Sequence, residues 1–359
     1  MTSTQPYTPT SAILIQNNGE TGRDFSVVES VTPDGPAVVA LGGELTYTPG
    51  MANTYAKTLR TLLRENGIES VPIYAAAYEF GSHNSELERV QIFRRAGRKV
   101  RIRHHAELNT KMEQHLAQMN TMEPVPNYII ELYDKIFNPR MADVPENHPT
   151  ANILAARMRG LVIYAHSHGA AVVWQMGKHM RAQLQQLGYN AEEIHQIQRS
   201  VLAVQHAPTA PLERPAFTTV SFGSAEDTAA RAYNKFYDFL YENSADIVPS
   251  FFDALDARVF VAGRLKQTLV GEHDPVGLLD HAKTNETLTE DGKIIFAAQR
   301  NVIVNGVRSA MRGDPMPTMA QLANGGIVDF ARLQRTGNSI YEWMVSTVRS
   351  QNPKHDYQK

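Results

Sequence analysis

The chain has 359 residues, 42% hydrophobic and 20% charged, with a formal net charge of −2. This is the composition of a globular chain, and so balanced a charge gives no global electrostatic case for nucleic-acid binding. The absence of cysteine excludes disulfides, thiolate metal sites and a cysteine nucleophile together. Met1–Ser11 is polar and rich in Ser, Thr and Pro, and it reads as a disordered tail. Ser11–Ile15 and Phe25–Val31 then read as strands, parted by the turn residues Asn17, Asn18, Gly19 and Gly22. Ala37–Leu41 has the composition of a buried strand and ends at Gly42 and Gly43. Over Met51–Asn66 the residues Tyr55, Leu59, Leu62 and Leu63 share a helical face, and Gly67 stops it. Ser70–Ala77 returns as a strand, so the first third is one parallel crossover unit.

Residues 81–150 read as a helical insertion between core strands, able to act as a lid or substrate wall. It carries the basic run from Arg89 to Arg103 and two amphipathic candidates, Ala106–Met122 and Tyr128–Phe137. A basic run is most often a solvated face. As a contact surface it would suit anionic lipid headgroups better than nucleic acid. A short helix over residues 152–159 leads to the strand Leu161–Tyr164. Ala165-His166-Ser167-His168-Gly169 follows, and a helix runs from Ala170 to a stop at Gly188. Further strands are expected at Ser200–Val204 and Thr218–Phe222. Another is expected ahead of Asn243–Pro249, and a late one within residues 294–305. Asp329–Arg349 patterns as a terminal helix. No linker divides the chain, so one α/β domain with insertions is the simplest architecture.

Ser167 is the chemical focus of this pattern. Small residues two before and two after a serine, between a buried strand and a helix, form a turn tight enough to expose the hydroxyl. The helix N-terminus puts backbone N–H groups and a positive dipole end beside it, where a tetrahedral oxyanion would form. The pattern resembles the nucleophile elbow of the α/β-hydrolase fold, with Ala165 where the first glycine usually stands; an ordinary strand–helix turn is the alternative. In that fold one oxyanion N–H comes from the residue after the nucleophile, here His168. The other comes from a glycine loop after an earlier strand, here at Gly43 or Glu44. A serine nucleophile needs an imidazole base and a carboxylate to orient it, following in the order Ser, Asp, His. Asp246 ends an apparent strand and is held by Ile247-Val248-Pro249, and Asp227 competes with it. His273 and His281 share one loop-like stretch downstream. His166 and His168 invite a metal reading, but no third ligand is evident and zinc needs three or four.

The runs Thr219–Ser224 and Glu242–Pro249 resemble the fungal-type (class three) lipases, which carry a Thr-Phe-Gly strand end and then Asp-x-Val-Pro. The resemblance covers about half the chain. It implies a mostly parallel sheet flanked by helices, with Ser167 as nucleophile, Asp246 as acid and a late histidine as base. Asp280-His281 is similar to the family's Asp-His step, so His281 is the base expected and His273 the alternative. Ser224 is followed by Ala225 rather than proline, and the first oxyanion loop lacks the family's Arg-Gly-Thr.

The expectation is therefore a cofactor-free serine acyl hydrolase acting on ester or lipid substrates, with membrane-surface contact through residues 81–150 and no nucleic-acid partner. Acyl transfer, or a non-catalytic binding protein on the same fold, are the alternatives. Met1–Ser11 lacks the apolar core of a signal peptide, and no run approaches the ~18 apolar residues of a membrane span. Synthesis in the cytoplasm is expected, with export by a non-classical bacterial secretion system open, because Ser/Thr-rich starts also occur on exported effectors.

Overall fold

The computed structural model describes residues 12–21, 23–43, 46, 48–78, 125–208, 216–224, 248–252, 257–262 and 288–314. Nine strands form one sheet: β1 (Ile13–Asn17), β2 (Phe25–Val28), β3 (Ala37–Leu41), β4 (Ile73–Ala77), β5 (Leu161–His166), β6 (Leu202–His206), β7 (Thr218–Ser224), β8 (Val248–Phe252) and β9 (Ala257–Ala262). Their order is β2-β1-β4-β3-β5-β6-β7-β9-β8. From β4 through β9 every pairing is parallel, while β2, β1 and β8 add antiparallel margins. Every residue of β3, β4, β5 and β6 is buried. That explains their unbroken apolar runs, because a parallel sheet is covered on both faces.

The helices are α1 (Pro49–Glu65), α2 (Asn127–Ile136), the one-turn α3 (Val144–Asn147), α4 (Ala151–Met158), α5 (His168–Gln186), α6 (Ala191–Arg199) and α7 (Glu290–Arg312). Leu161, Ile163 and Ala165 of β5 share one core with α2, α4, α5 and α6. Val162 and Tyr164 point the other way, into a core made with α1 and α7. The period-2 alternation of β5 thus splits its side chains between two separate helix layers. Local signals set the helix ends. The Thr48 side chain accepts from Met51 N–H ahead of Pro49, and Asn190 and Glu193 form a capping box on α6.

Three sequence expectations change. Residues 294–305 are helical, not a strand. The β-branched clusters there suggested a sheet, but Phe296, Gln299, Ile303 and Val307 recur at helical spacing and are all buried. Thr289 caps the start of α7, and Gly313, at φ 68°, closes its end in a left-handed conformation open to glycine. Residues 125–150 are the described part of the predicted insertion. Tyr128, Ile129, Leu132, Tyr133 and Ile136 of α2 lie in the same core as β3, β5 and α5, so this helix is part of the covering layer. Strands β8 and β9 were not foreseen, and Pro249 is tolerated because β8 is at the edge of the sheet among the described residues. Residues 79–124 lie outside the described residues. So do the readings at Ala106–Met122 and Asp329–Arg349 and the strand expected ahead of Asn243. Among the described residues no helix is long and apolar enough to cross a membrane.

Arg140 joins the layers at the other end of the sheet. It is buried, and burial lowers its pKa to about 10, so it stays cationic at neutral pH. Its guanidinium donates to the carbonyls of Gly35 (2.8 Å) and Arg157 (2.5 Å), tying the turn before β3 to the end of α4. A Cβ on Gly160, just before β5, would come 2.7 Å from that guanidinium and overlap the Gly35 carbonyl.

The assignment of α7 as the second cover of the sheet can be checked by urea unfolding. Ile303→Ala, which empties a fully buried site, is expected to cost about 2–4 kcal/mol. Met311→Ala, on the exposed side of the same helix, is expected to stay within about 0.5 kcal/mol.

Candidate active site

The strand order reverses direction between β3 and β5. From β3 the chain crosses to β4 on one side, and from β5 it proceeds to β6 and β7 on the other. In open α/β sheets the crevice at such a point, outside the carboxyl ends of the strands, is where ligands bind. Gly42 and Gly43 leave β3 at this crevice, and Ser167 leaves β5.

Ser167 is the single residue between β5 and α5, with φ 52° and ψ −119°. That lies outside the left-handed helical well and in a region that only glycine enters freely. Among the described residues two other non-glycine residues have positive φ, His148 and Ala207. His148, at ψ 63°, sits in the ordinary left-handed well. Holding Ser167 there costs of order 1–3 kcal/mol, which the surrounding structure must offset. Ser167 N–H donates to the His206 carbonyl at 3.0 Å, so its backbone is still part of the β5–β6 ladder. Its own carbonyl already accepts from Ala170 N–H at 3.0 Å as the first turn of α5. The N–H groups of His168 and Gly169 therefore lead a 19-residue helix, where no helical carbonyl lies ahead of them.

The small residues of the turn have different reasons. A Cβ on Gly169 would overlap the Leu41 carbonyl and come 2.8 Å from that of Gly42, so only glycine lets α5 start this close to β3. Ala165 points into the core with Leu161 and Ile163, and a methyl fits there. A glycine at that position is not required by this packing. A Cβ on Gly43 would lie 3.3 Å from Ser167 Cβ and 3.1 Å from His166 Nδ1. The turn after β3 and the serine turn are thus in van der Waals contact.

The two histidines flanking Ser167 leave on opposite sides of the sheet, and each meets a tyrosine. His166 Nδ1 lies 2.9 Å from Tyr55 Oη of α1. His168 Nε2 lies 3.2 Å from Tyr128 Oη of α2. Tyr128 stacks on Tyr78 at 5.7 Å, and the Tyr78 hydroxyl donates to the Gly42 carbonyl. Burial pushes the Tyr78 phenol well above its usual range, helped by the neighbouring phenols of Tyr128 and Tyr55, and burial does the same to Tyr128. Both stay protonated and keep a hydrogen to donate. Among the described residues no group of three or more His, Asp or Glu side chains is placed to hold a metal ion.

Beside His166 in register on β6 stands His206, with ring centroids 5.9 Å apart. His206 is fully buried, and Gln299 Nε2 of α7 lies 3.5 Å from its Nδ1. On the opposite face Ser221 Oγ donates to Gln205 Oε1 at 3.1 Å.

Of the residues expected from sequence, Ser167, His168 and Gly43 are brought together. Asp246, Asp227, His273 and His281 lie outside the described residues. The sequence reading missed Tyr55, Tyr78, Tyr128, His206 and Gln299. Tyr55 falls on the apolar face of α1 by its spacing, and nothing local marks it otherwise. His206 did carry a signal, a polar residue closing an apolar strand as His166 closes β5. No family model matches the chain, and no curated protein is significantly similar to it.

The strain at Ser167 gives a sign that ordinary positions do not. In regular structure alanine is favoured over glycine by about 0.5–1 kcal/mol. At position 167 that order is expected to reverse, with Ser167→Gly more stable than Ser167→Ala by about 1 kcal/mol or more. Chemical denaturation of the two variants side by side measures the difference.

Proposed function

We propose that the chain is a serine acyl hydrolase of the α/β-hydrolase type, cleaving carboxylic esters, lipid esters among them, through an acyl-enzyme. The observation that carries this reading is the backbone of Ser167, φ 52° and ψ −119°, in a one-residue step from strand to helix at the point where the sheet order reverses. A strained serine at the start of a long helix has oxyanion donors beside it, and strain of this kind concentrates at functional sites.

In the proposed reaction Ser167 Oγ attacks the ester carbonyl while an imidazole takes its proton. The carbonyl π electrons move onto oxygen, where the N–H groups of His168 and Gly43 receive the charge. The tetrahedral intermediate collapses, and the leaving alkoxide takes the proton from the imidazolium. Water then repeats the sequence on the acyl-enzyme, releasing the acid and restoring the serine. The base assigned is His281, with His273 as the alternative, and the acid is Asp246. These three rest on chain order and on the resemblance to the class three lipases. A lid within the insertion at residues 81–150, with its basic run from Arg89 to Arg103 meeting an anionic lipid surface, belongs to the same proposal.

Fluorophosphonate labelling of the intact chain, with the modified residue located by mass spectrometry, tests the nucleophile. Label on Ser167 is expected, and Ser167→Ala should lower p-nitrophenyl ester turnover by about 10³-fold or more. A folded wild-type protein that neither labels nor turns over an ester panel would favour the binding-protein alternative.

The acid and base are tested by paired variants. Asp246→Asn is expected to cost up to about 10⁴-fold in kcat through the wrong imidazole tautomer, with Asp227→Asn near wild type. His281→Ala should abolish turnover and labelling together, while His273→Ala should leave both in place. An imidazole base has an ordinary pKa near 6.5 and is lost as a base when protonated. kcat/KM should therefore fall as pH drops through about that value. The reverse pattern within either pair reassigns that residue.

A further inference from the structure

We infer that Tyr55 is a positioning residue for this site, holding the Gly43 amide and the His166 ring against Ser167 through its hydroxyl. The inference rests on the reading of Ser167 as nucleophile and of Gly43 as an oxyanion donor.

Tyr55 stands in α1, the helix that follows the Gly42-Gly43 turn, and it is half-buried rather than packed away like Leu59 and Leu62. Its ring lies against the turn, where a Cβ on Gly42 would come 2.7 Å from Tyr55 Cε2. Its Oη is 2.9 Å from His166 Nδ1 and 3.5 Å from Gly43 N. An amide N–H can only donate, so the phenol oxygen accepts from Gly43. In the proposed arrangement the phenol hydrogen points to His166 Nδ1, which accepts it. Neutral His166 accordingly carries its own hydrogen on Nε2. One hydroxyl fixes both the direction of a peptide in the turn and the tautomer of the residue before the serine.

The two contacts differ in strength, and the difference matters. The bond to His166 has an ordinary length, so Tyr55 is anchored on the serine turn. The bond from Gly43 is long and weak, so that N–H is held beside Ser167 yet is released to a developing oxyanion at small cost. An amide without this partner would be free to turn away. Phenylalanine would fill the same space and supply neither contact. His206 and Gln299 continue the row behind His166, giving the ring a support on its far side.

The test is Tyr55→Phe in the full chain, read in two ways. Long-range ¹H–¹⁵N spectra of the imidazoles, with the His166 signals assigned from a His166→Asn variant, report the tautomer. Wild type is expected to show His166 protonated on Nε2, and Tyr55→Phe to shift it toward the Nδ1–H form or a mixture. Turnover of p-nitrophenyl butyrate by Tyr55→Phe is expected to fall about ten- to a hundred-fold in kcat, with KM within about two-fold. The melting temperature should hold, since a rim hydroxyl is all that is lost. Unchanged kcat in an active wild-type background overturns the inference, and so does a rise in kcat, which would make Tyr55 an obstruction to Gly43. An unchanged His166 tautomer overturns it on its own. Inactivity and absence of labelling in wild type defeat the hydrolase reading instead, and the tautomer spectra still decide whether Tyr55 holds His166.

Discussion

Helix α5 begins closer to β3 than any side chain would permit. A Cβ at Gly169 would overlap the Leu41 carbonyl, so the whole geometry of the site depends on a hydrogen atom at that position. The approach brings the leading amides of α5 beside the turn after β3. It also leaves one residue to convert an extended backbone into a helical one, and Ser167 absorbs that conversion in its own dihedral angles. The strain is held from both sides. Behind it the β5–β6 ladder fixes the Ser167 amide, and ahead of it the first turn of α5 fixes the carbonyl.

The sheet supplies the rigidity that such a turn requires. Four adjacent strands with no exposed residue cannot slide without moving two helix layers, because each strand is keyed into both cores. At the crevice the apolar alternation gives way to polar groups on the same lattice. Val162, Tyr164 and His166 form one row of β5, and Leu202, Val204 and His206 form the matching row of β6. The histidines are therefore positioned by the pleat, and helices α1 and α7 reach them with one polar side chain each, Tyr55 and Gln299.

Much of this was legible in the sequence where a single segment carried its own signal. Ala37–Leu41 and the Leu161–Gly169 stretch are short enough, apolar enough and abrupt enough at their ends to identify themselves. Helix α7 did not, because Val302, Ile303 and Val304 are residues that favour strands, and only the spacing of its buried positions over 23 residues reveals a helix. Strands β8 and β9 went unread for another reason: Pro249 interrupts the one pattern and Arg258 the other. The tyrosine partners of the histidines were invisible on principle. Tyr55 and His166 are 111 positions apart, and no local pattern records a pairing that the fold alone creates.

The two layers over the sheet also differ in when they become available. Helices α2, α4, α5 and α6 lie between residues 127 and 199, alongside the strands they cover. The opposite layer is assembled from the two ends of the described chain, α1 near residue 50 and α7 near residue 300. During synthesis the strained serine turn can therefore form well before the face beneath His166 and His206 is closed. Gln299 enters with the last described helix, so the polar row is completed only when nearly all of the sheet has been made. A chain interrupted before residue 290 would hold the serine turn but leave His206 and an apolar face without their cover from α7, a state prone to aggregate.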